Sequence, residues 1–293
     1  MDLKADYKVN KKENFYFYVR LVISLGLYYW LIKFAITSFQ SEDPRLTSLY
    51  LMVYVYAIII LLFVFFRFAV LIGHLKGNAI KLSPNQFPDI YQTVVKQSQL
   101  LGLKYVPDVY ILQSGGILNA FATKFMGNNY IVLYSEIVES AYEQDKNILE
   151  FITGHELGHI KRNHMIKNLL LFPSFLIPFL AAAYSRACEY TCDNIAHSLS
   201  PMGAKSGLLI LASGRTLYKK VNLKDYLAQD QTEAGFWKWF AEKVSSHPNL
   251  TKRIALFPDA IETKKAVYVS PLTEVEAIPV VAKKENDYSR YMP

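Results

Sequence analysis

DKNILEFITGHELGHIKRNH, residues 145–164, decides how this chain is read. Ile148, Leu149, Ile152 and Ile160 fall close to one helical face. Asp145 is placed to cap the start and Pro173 limits the run, so one helix is expected over the stretch. Within it His155 and His159 stand four residues apart, one turn along the same face, and both imidazoles can reach one metal ion. Glu156, beside the first histidine, can face the metal's open position, which is the pattern of zinc hydrolases. Gly154 and Gly158 weaken an otherwise good helix former, as expected where something must approach the helix closely.

Composition places this helix in a membrane-attached chain. The 293 residues are 52% hydrophobic and 14% aromatic with positive mean hydropathy, more apolar than a plain soluble domain. Much of the excess behind the net charge of +7 lies in an N-terminal segment with Lys4, Lys8, Lys11 and Lys12 beside an apolar run. That is a membrane-topology signal rather than a nucleic-acid footprint, and no platform of interleaved basic and aromatic residues follows that would bind nucleic acid. Cys188 and Cys192 are the only cysteines, too few for a disulfide framework, and read as a reduced, buried pair on one helix face.

In chain order, 15–39 is mostly apolar and long enough to span a bilayer, with Arg20 and Lys33 near enough to its ends to snorkel. It is too long, and lacks the small-residue exit, for a cleaved signal peptide. A polar turn over 40–48 leads to 49–66, an apolar run without a charge. Lysines crowd the first flank and Arg67, Lys76 and Lys81 follow the second span, whereas the turn has only Arg45, so both flanks are expected to be cytoplasmic. The expected division is therefore a transmembrane hairpin over 1–74, a globular domain over 75–261 and a loosely attached tail over 262–293. In the domain, 88–101 reads as a helix stopped by Gly102, while 106–112, 117–122 and 130–134 read as strands, the last two joined by a turn at Gly127-Asn128-Asn129. Helices are expected to carry Arg186, Glu189 and Asp193, then to run from Met202 to about Lys219, then to hold the aromatics Phe236, Trp237, Trp239 and Phe240. Those aromatics suit packing or the membrane interface better than a substrate cage. A final short helix with Arg253 and Ile254 follows Ser246-His247-Pro248. No internal repeat or low-complexity tract is present.

A third metal ligand decides the chemistry. In one common solution a histidine follows at His-x-x-Gly-x-x-His spacing, but Arg162 and Met165 occupy the two positions needed, and His164 stands one residue short. The other solution takes a glutamate from a later helix. Glu189, with Asp193 four residues on, fits it as a ligand and its outer carboxylate partner.

Asn119-Ala120-Phe121-Ala122, then His-Glu-Leu-Gly-His, then Arg186-x-x-Glu189-x-x-x-Asp193, then Ser246-His247-Pro248 with Arg253-Ile254 together resemble the HtpX family of membrane zinc metalloendopeptidases. That family is related to the CaaX prenyl endopeptidases and the Oma-type mitochondrial proteases. The resemblance covers about 77–257 and rests on four motifs in the right order. It implies an α+β, mostly helical gluzincin fold with a small β-sheet behind the two-helix hairpin, and one zinc held by His155, His159 and Glu189. It also implies a peptide cleft bordered by Asn119, Ala120 and Phe121, with His247 and Arg253 near the reacting centre. CaaX endopeptidases carry many more spans than this chain, so prenyl-protein processing is disfavoured. HtpX-type proteases usually have two further spans between the zinc helix and the glutamate helix, and this chain has room for fewer.

The chemistry expected is hydrolysis of peptide bonds of membrane-associated polypeptides at the cytoplasmic face of a plasma or inner membrane, with membrane-protein quality control as a candidate setting. Glu156 would take the proton of the attacking water and hand it to the leaving amine. Asp193 would orient the His155 imidazole through its second nitrogen. His247 is the candidate donor to the oxyanion, with capping of the short helix after Pro248 as the alternative. Arg253 either serves similarly or braces the acidic cluster. Asn119 is as well explained as a turn residue at a strand end. The rival class is a membrane-tethered zinc module that binds proteins without cutting them, and retention of Glu156 argues against it. Residues 169–184 are apolar but are not expected to cross. Sixteen residues of helix reach about 24 Å against a core of about 30 Å, and Pro173 and Pro178 interrupt even that. A single crossing would also put Glu189 on the opposite side of the membrane from His155 and His159.

Overall fold

In a computed structural model the described residues are 5–257 except Ser114, so the expected tail over 262–293 lies outside them. The chain is mostly helical, with one four-stranded sheet. Helices α1 (Lys11–Phe39) and α2 (Pro44–Asn78) are the two long apolar ones, and their most apolar stretches are only 11% and 6% buried. Asn10 and Asp43 cap their starts, each side chain accepting a backbone N–H of the first turn. The two helices meet near their connecting turn, where Phe34 stands edge-on to Tyr50 and Phe39 stacks on Tyr54. Farther along, each packs on a different part of the globular region.

Strands β1 (Ile80–Lys81), β2 (Asp108–Leu112), β3 (Ala120–Phe125) and β4 (Asn128–Tyr134) form a sheet in the order β1-β2-β4-β3. The β2–β4 pair is parallel and the other two are antiparallel. Successive side chains alternate between faces. Val109, Ile111, Ile131 and Leu133 enter the main core, whereas Tyr110, Tyr130 and Val132 pack on Ile72 and Leu75 of α2. The β3–β4 turn is Met126-Gly127, with Phe125 opposite Asn128. Both turn residues have positive φ, 46° and 84°, the mirror-image geometry that suits the strand twist. The turn therefore sits one residue earlier than Gly127-Asn128-Asn129, because both asparagines are used as strand residues.

Helix α3 (Pro88–Leu100) is followed by Gly102 at φ 60°. Next comes α4 (Ser135–Glu143), which no pattern in the sequence had singled out. Helix α5 (Lys146–Lys161) begins at Asp145, whose carboxylate accepts from Asn147 N at 3.0 Å. It does not run through to His164 as expected. Asn163 adopts a left-handed conformation, φ 54° and ψ 37°, which asparagine tolerates better than most residues. A separate helix, α6 (His164–Leu170), then starts in a new direction.

After α6 the chain makes a short 3-10 turn (Phe172–Leu176) containing Pro173, passes Pro178, and enters α7 (Leu180–Leu199) through Phe179 at φ 63°. No helix both long and apolar enough to cross a bilayer forms here. The elbow lies against α1. Arg20 donates to Ser174 Oγ at 2.8 Å and to the Leu171 carbonyl at 3.0 Å, and Tyr28 donates to the Leu170 carbonyl at 3.1 Å. Its outer side leaves Leu169, Phe172, Phe175 and Leu176 exposed. Helices α8 (Ala204–Leu217), α9 (Leu223–Thr232), α10 (Phe236–Val244) and α11 (Leu250–Ile254) complete the described chain. On α10 Phe236, Trp237 and Trp239 are exposed, and Phe240 meets Phe179 of the elbow edge-on, 6.1 Å between centroids.

Candidate metal centre

Helices α5 and α7 cross where α5 has no side chains. A Cβ added at Gly154 would come 3.2 Å from Ala196 Cα, and one at Gly158 would come 3.2 Å from Cys192 Cα. Each glycine costs a helix interior roughly 1 kcal/mol relative to alanine. What they permit is a close approach that sets Glu189 and Asp193 of α7 directly opposite His155 and His159 of α5.

The geometry at the crossing fits a zinc ion. His155 Nε2 and His159 Nε2 are 3.3 Å apart, His155 Nε2 is 3.4 Å from Glu189 Oε2, and His159 Nε2 is 3.3 Å from Glu189 Oε1. Ligands about 2.0–2.1 Å from a tetrahedral zinc stand about 3.3–3.4 Å from one another; the two imidazole nitrogens meet that spacing, and each lies at it from a different oxygen of Glu189, Oε2 for His155 and Oε1 for His159. Cys192 also comes within metal-ligand reach of both histidines. Burial and then the nearby Glu189 push its thiol well above the usual range, which disfavours it as the third donor beside a carboxylate already ionised.

Behind these groups the charges are ordered. His155 Nδ1 is 2.9 Å from Asp193 Oδ1. Arg253 of α11 grips the same carboxylate in a fork, Nε to Oδ2 at 2.7 Å and Nη2 to Oδ1 at 2.6 Å, and its Nη1 lies 3.4 Å from Glu189 Oε2. Burial works against the charge on Asp193, yet Arg253 and His155 outweigh it and hold the group below the ordinary carboxylate range. Burial likewise opposes the charge on Glu189, and the two histidines bring it well below that range. At His155 burial opposes an imidazolium, but Asp193 and Glu189 overcome it and raise the pKa to about 10. The carboxylates of Asp193 and Glu189 thus set a negative field at the imidazoles, which favours a bound cation there once the imidazoles are neutral.

A cavity of about 100 Å³ opens onto these groups, lined on one side by Asn119, Ala120, His247 and Arg253. Glu156 lines it too and is 7% exposed, yet it forms no hydrogen bond or ion pair with any described residue. The apolar wall is Ile137, Phe151, Ile152, Leu208 and Leu211. Phe121, expected beside the cleft, points to the opposite face of the sheet, against Tyr134, because its neighbour Ala120 takes the inward position in the strand alternation. His247 is largely exposed with Nε2 3.7 Å from Glu189 Oε1. Its loop is held by Arg186, whose Nη1 lies 2.7, 2.9 and 2.7 Å from the carbonyls of Glu242, Lys243 and Ser245 at the end of α10. The sequence had given Arg186 no such task.

A plastoglobule-localized metallopeptidase 48 from Arabidopsis thaliana is 25% identical over 199 residues, 59% of this chain and 56% of that protein. A CAAX prenyl protease 1 homolog from Dictyostelium discoideum is 31% identical over 103 residues, 35% of this chain and 22% of that one. The chain thus spans about half the length of the first relative and about a fifth of the second. The crystal structure of S. mikatae Ste24p superposes with a TM-score of 0.46 at 16% identity, covering 87% of this chain and 68% of that one. Residues 84–177 match peptidase family M48. Helix α5 lies wholly inside the matched segment and α7 begins beyond it, so residues 84–177, with both histidines of α5, are what the chain shares with peptidase family M48.

Proposed function

We propose that the chain is a membrane-anchored, zinc-dependent endopeptidase. The observation that carries the reading is the convergence of His155 Nε2, His159 Nε2 and the Glu189 carboxylate at zinc-ligand spacing beside an unpartnered Glu156. Zinc held there supplies Lewis-acid polarisation of the scissile carbonyl and acidifies water. Glu156, with no protein partner to satisfy, takes the proton of the attacking water and passes it to the leaving amine. Asp193, itself held by Arg253, fixes the tautomer and orientation of His155, so Arg253 acts as a brace. His247 is accessible from the cleft and donates to the oxyanion as it forms. Strand β3 is at the edge of the sheet, and its first residue, Ala120, lines the cavity, so an extended peptide is bound by adding along that edge. A zinc protein-binding module without catalysis would have no use for a buried carboxylate aimed into the cleft.

The test is digestion of an unfolded polypeptide by the purified full chain. Cleavage is expected, is abolished by a chelator and returns with zinc. His247→Ala should lower turnover by on the order of a hundredfold with zinc content unchanged. Normal turnover in that variant would leave His247 as a helix cap only, and no cleavage by the zinc-loaded wild type would favour the binding module.

The setting proposed is the cytoplasmic face, with the basic flanks of both spans on that side. Because Arg20 and Tyr28 of α1 hold the elbow against a spanning helix, the apolar elbow and the α10 aromatics beside it enter the lipid as a re-entrant surface, Trp237 and Trp239 at its border. Membrane-associated polypeptides, including damaged or unassembled membrane proteins, are then the substrate class nearest the cleft. Single cysteines at Asn163 and Ser198 in sealed vesicles should label from one face with an impermeant reagent, since the native cysteines are buried. Labelling from opposite faces would sink both the topology and Glu189 as ligand.

A further inference from the structure

His159 turns Nε2 toward Glu189, so its Nδ1 faces away from the proposed zinc, where a partner must fix the ring. That partner is His164, Nδ1 to Nδ1 at 3.0 Å. Two ring nitrogens share a hydrogen bond only when one carries the proton and the other does not. A ligating His159 keeps Nε2 bare, so the shared proton is its own, and His164 accepts at Nδ1. His164 must then carry its proton on Nε2, and Nε2 lies 3.3 Å from Glu13 Oε1, an acceptor. The direction of donation is consistent from the ligand to the carboxylate. His164 is 2% exposed and Glu13 is fully buried.

The same trio admits another reading. Glu13, His164 and Cys188 lie close enough together to hold an ion of their own. Against it, Glu13 Oε1 already pairs with Arg162 at 2.8 and 3.0 Å and stands 3.6 Å from Lys167 Nζ. Two fixed cations on one carboxylate oppose a third.

We infer that Glu13 and His164 are positioning residues for His159, so that the seating of α1 on the globular region sets the affinity for zinc. His155 has its carboxylate directly, in Asp193; His159 has one through a second imidazole, and from the first turn of α1. The seat is pinned just ahead of that turn. Asn10 N donates to Thr191 Oγ1 at 3.1 Å, and Asn194 donates to the Lys8 carbonyl at 3.0 Å. The break at Asn163 is what turns His164 back toward the site. The inference rests on His155, His159 and Glu189 as the zinc ligands.

The test is zinc affinity of the full chain by chelator competition, together with the visible spectrum of the cobalt-substituted protein. His164→Ala should weaken zinc binding about 10- to 100-fold and shift the cobalt bands. His164→Asn, whose side-chain oxygen sits where Nδ1 was, should recover most of both. Glu13→Gln keeps shape and acceptor, removes the charge and should cost about tenfold; it decides the matter if His164→Ala does not fold. The inference is overturned if zinc binds with wild-type affinity in His164→Ala and Glu13→Gln, or if Asn restores no more than Ala. It is also overturned if the wild type takes up a second zinc that Cys188→Ser loses. His155→Ala is run alongside. Undiminished zinc binding there would mean that the ligand assignment, and not the brace, is at fault.

Discussion

Glu156→Gln is expected to leave one zinc per chain and to remove peptide hydrolysis. Glu156 makes no hydrogen bond or ion pair with any described residue, so an isosteric amide breaks no contact and the melting temperature should stay within a degree or two of wild type. What is lost is the proton acceptor alone. General acid–base participation contributes about 10²- to 10⁴-fold, and here one group serves both as acceptor and as donor, so turnover should fall by about a thousandfold or more. The measurement pairs digestion of an unfolded polypeptide with elemental zinc analysis of the same sample. Cleavage within about tenfold of wild type, with zinc retained, would assign the base elsewhere.

Glu189→Ala is expected to do the opposite, emptying the site. The residue supplies one corner of the proposed ligand triangle and is the anion nearest both imidazoles. Without it two histidines remain, too few for a closed zinc site. Zinc content should fall from about one per chain to near zero in a chelator-washed sample, and hydrolysis should go with it. Part of the fold is touched as well, because Arg253 loses its second carboxylate neighbour while keeping Asp193. A control separates the two effects. Glu189→Gln, similar in shape but neutral, should lose most of the zinc with the α5–α7 crossing intact. Full zinc occupancy and full activity in Glu189→Ala would point to another donor, and Cys192 is the group in reach.

The histidine side of this site was readable because it is local. Four residues of helix put His155 and His159 on one face whatever the rest of the chain does, and the same holds for Glu189 and Asp193. The crossing that joins the pairs left a trace only as two costly glycines, Gly154 and Gly158. The brace behind His159 left none: Glu13 belongs to a segment whose composition speaks of a membrane, and no spacing rule relates it to residue 164. His164 attracted notice only as a histidine one position out of register. Its role depends on a left-handed Asn163 inside a run that otherwise continues the helical pattern, a choice settled by tertiary contacts rather than by propensity. In the sheet, short apolar runs bounded by turn residues identified β2 and β4, but β1 has only two residues, too few to show any pattern. Asn128 and Asn129 resembled a turn yet pair as strand residues, since Gly127 with Met126 already closes the hairpin.

The covering of the sheet by α2 has a consequence for anyone wishing to work with a smaller, water-soluble version of this protein. Trimming the chain to begin at residue 79 would remove Ile72 and Leu75 and expose the aromatic face of Tyr110, Tyr130 and Val132. It would also take Glu13 from Arg162 and Lys167, leaving two cations beside an empty socket. The hairpin is therefore no leash from which the globular region can be clipped. It is part of the wall and part of the foundation, and a sample meant to keep the site intact should keep both long apolar helices.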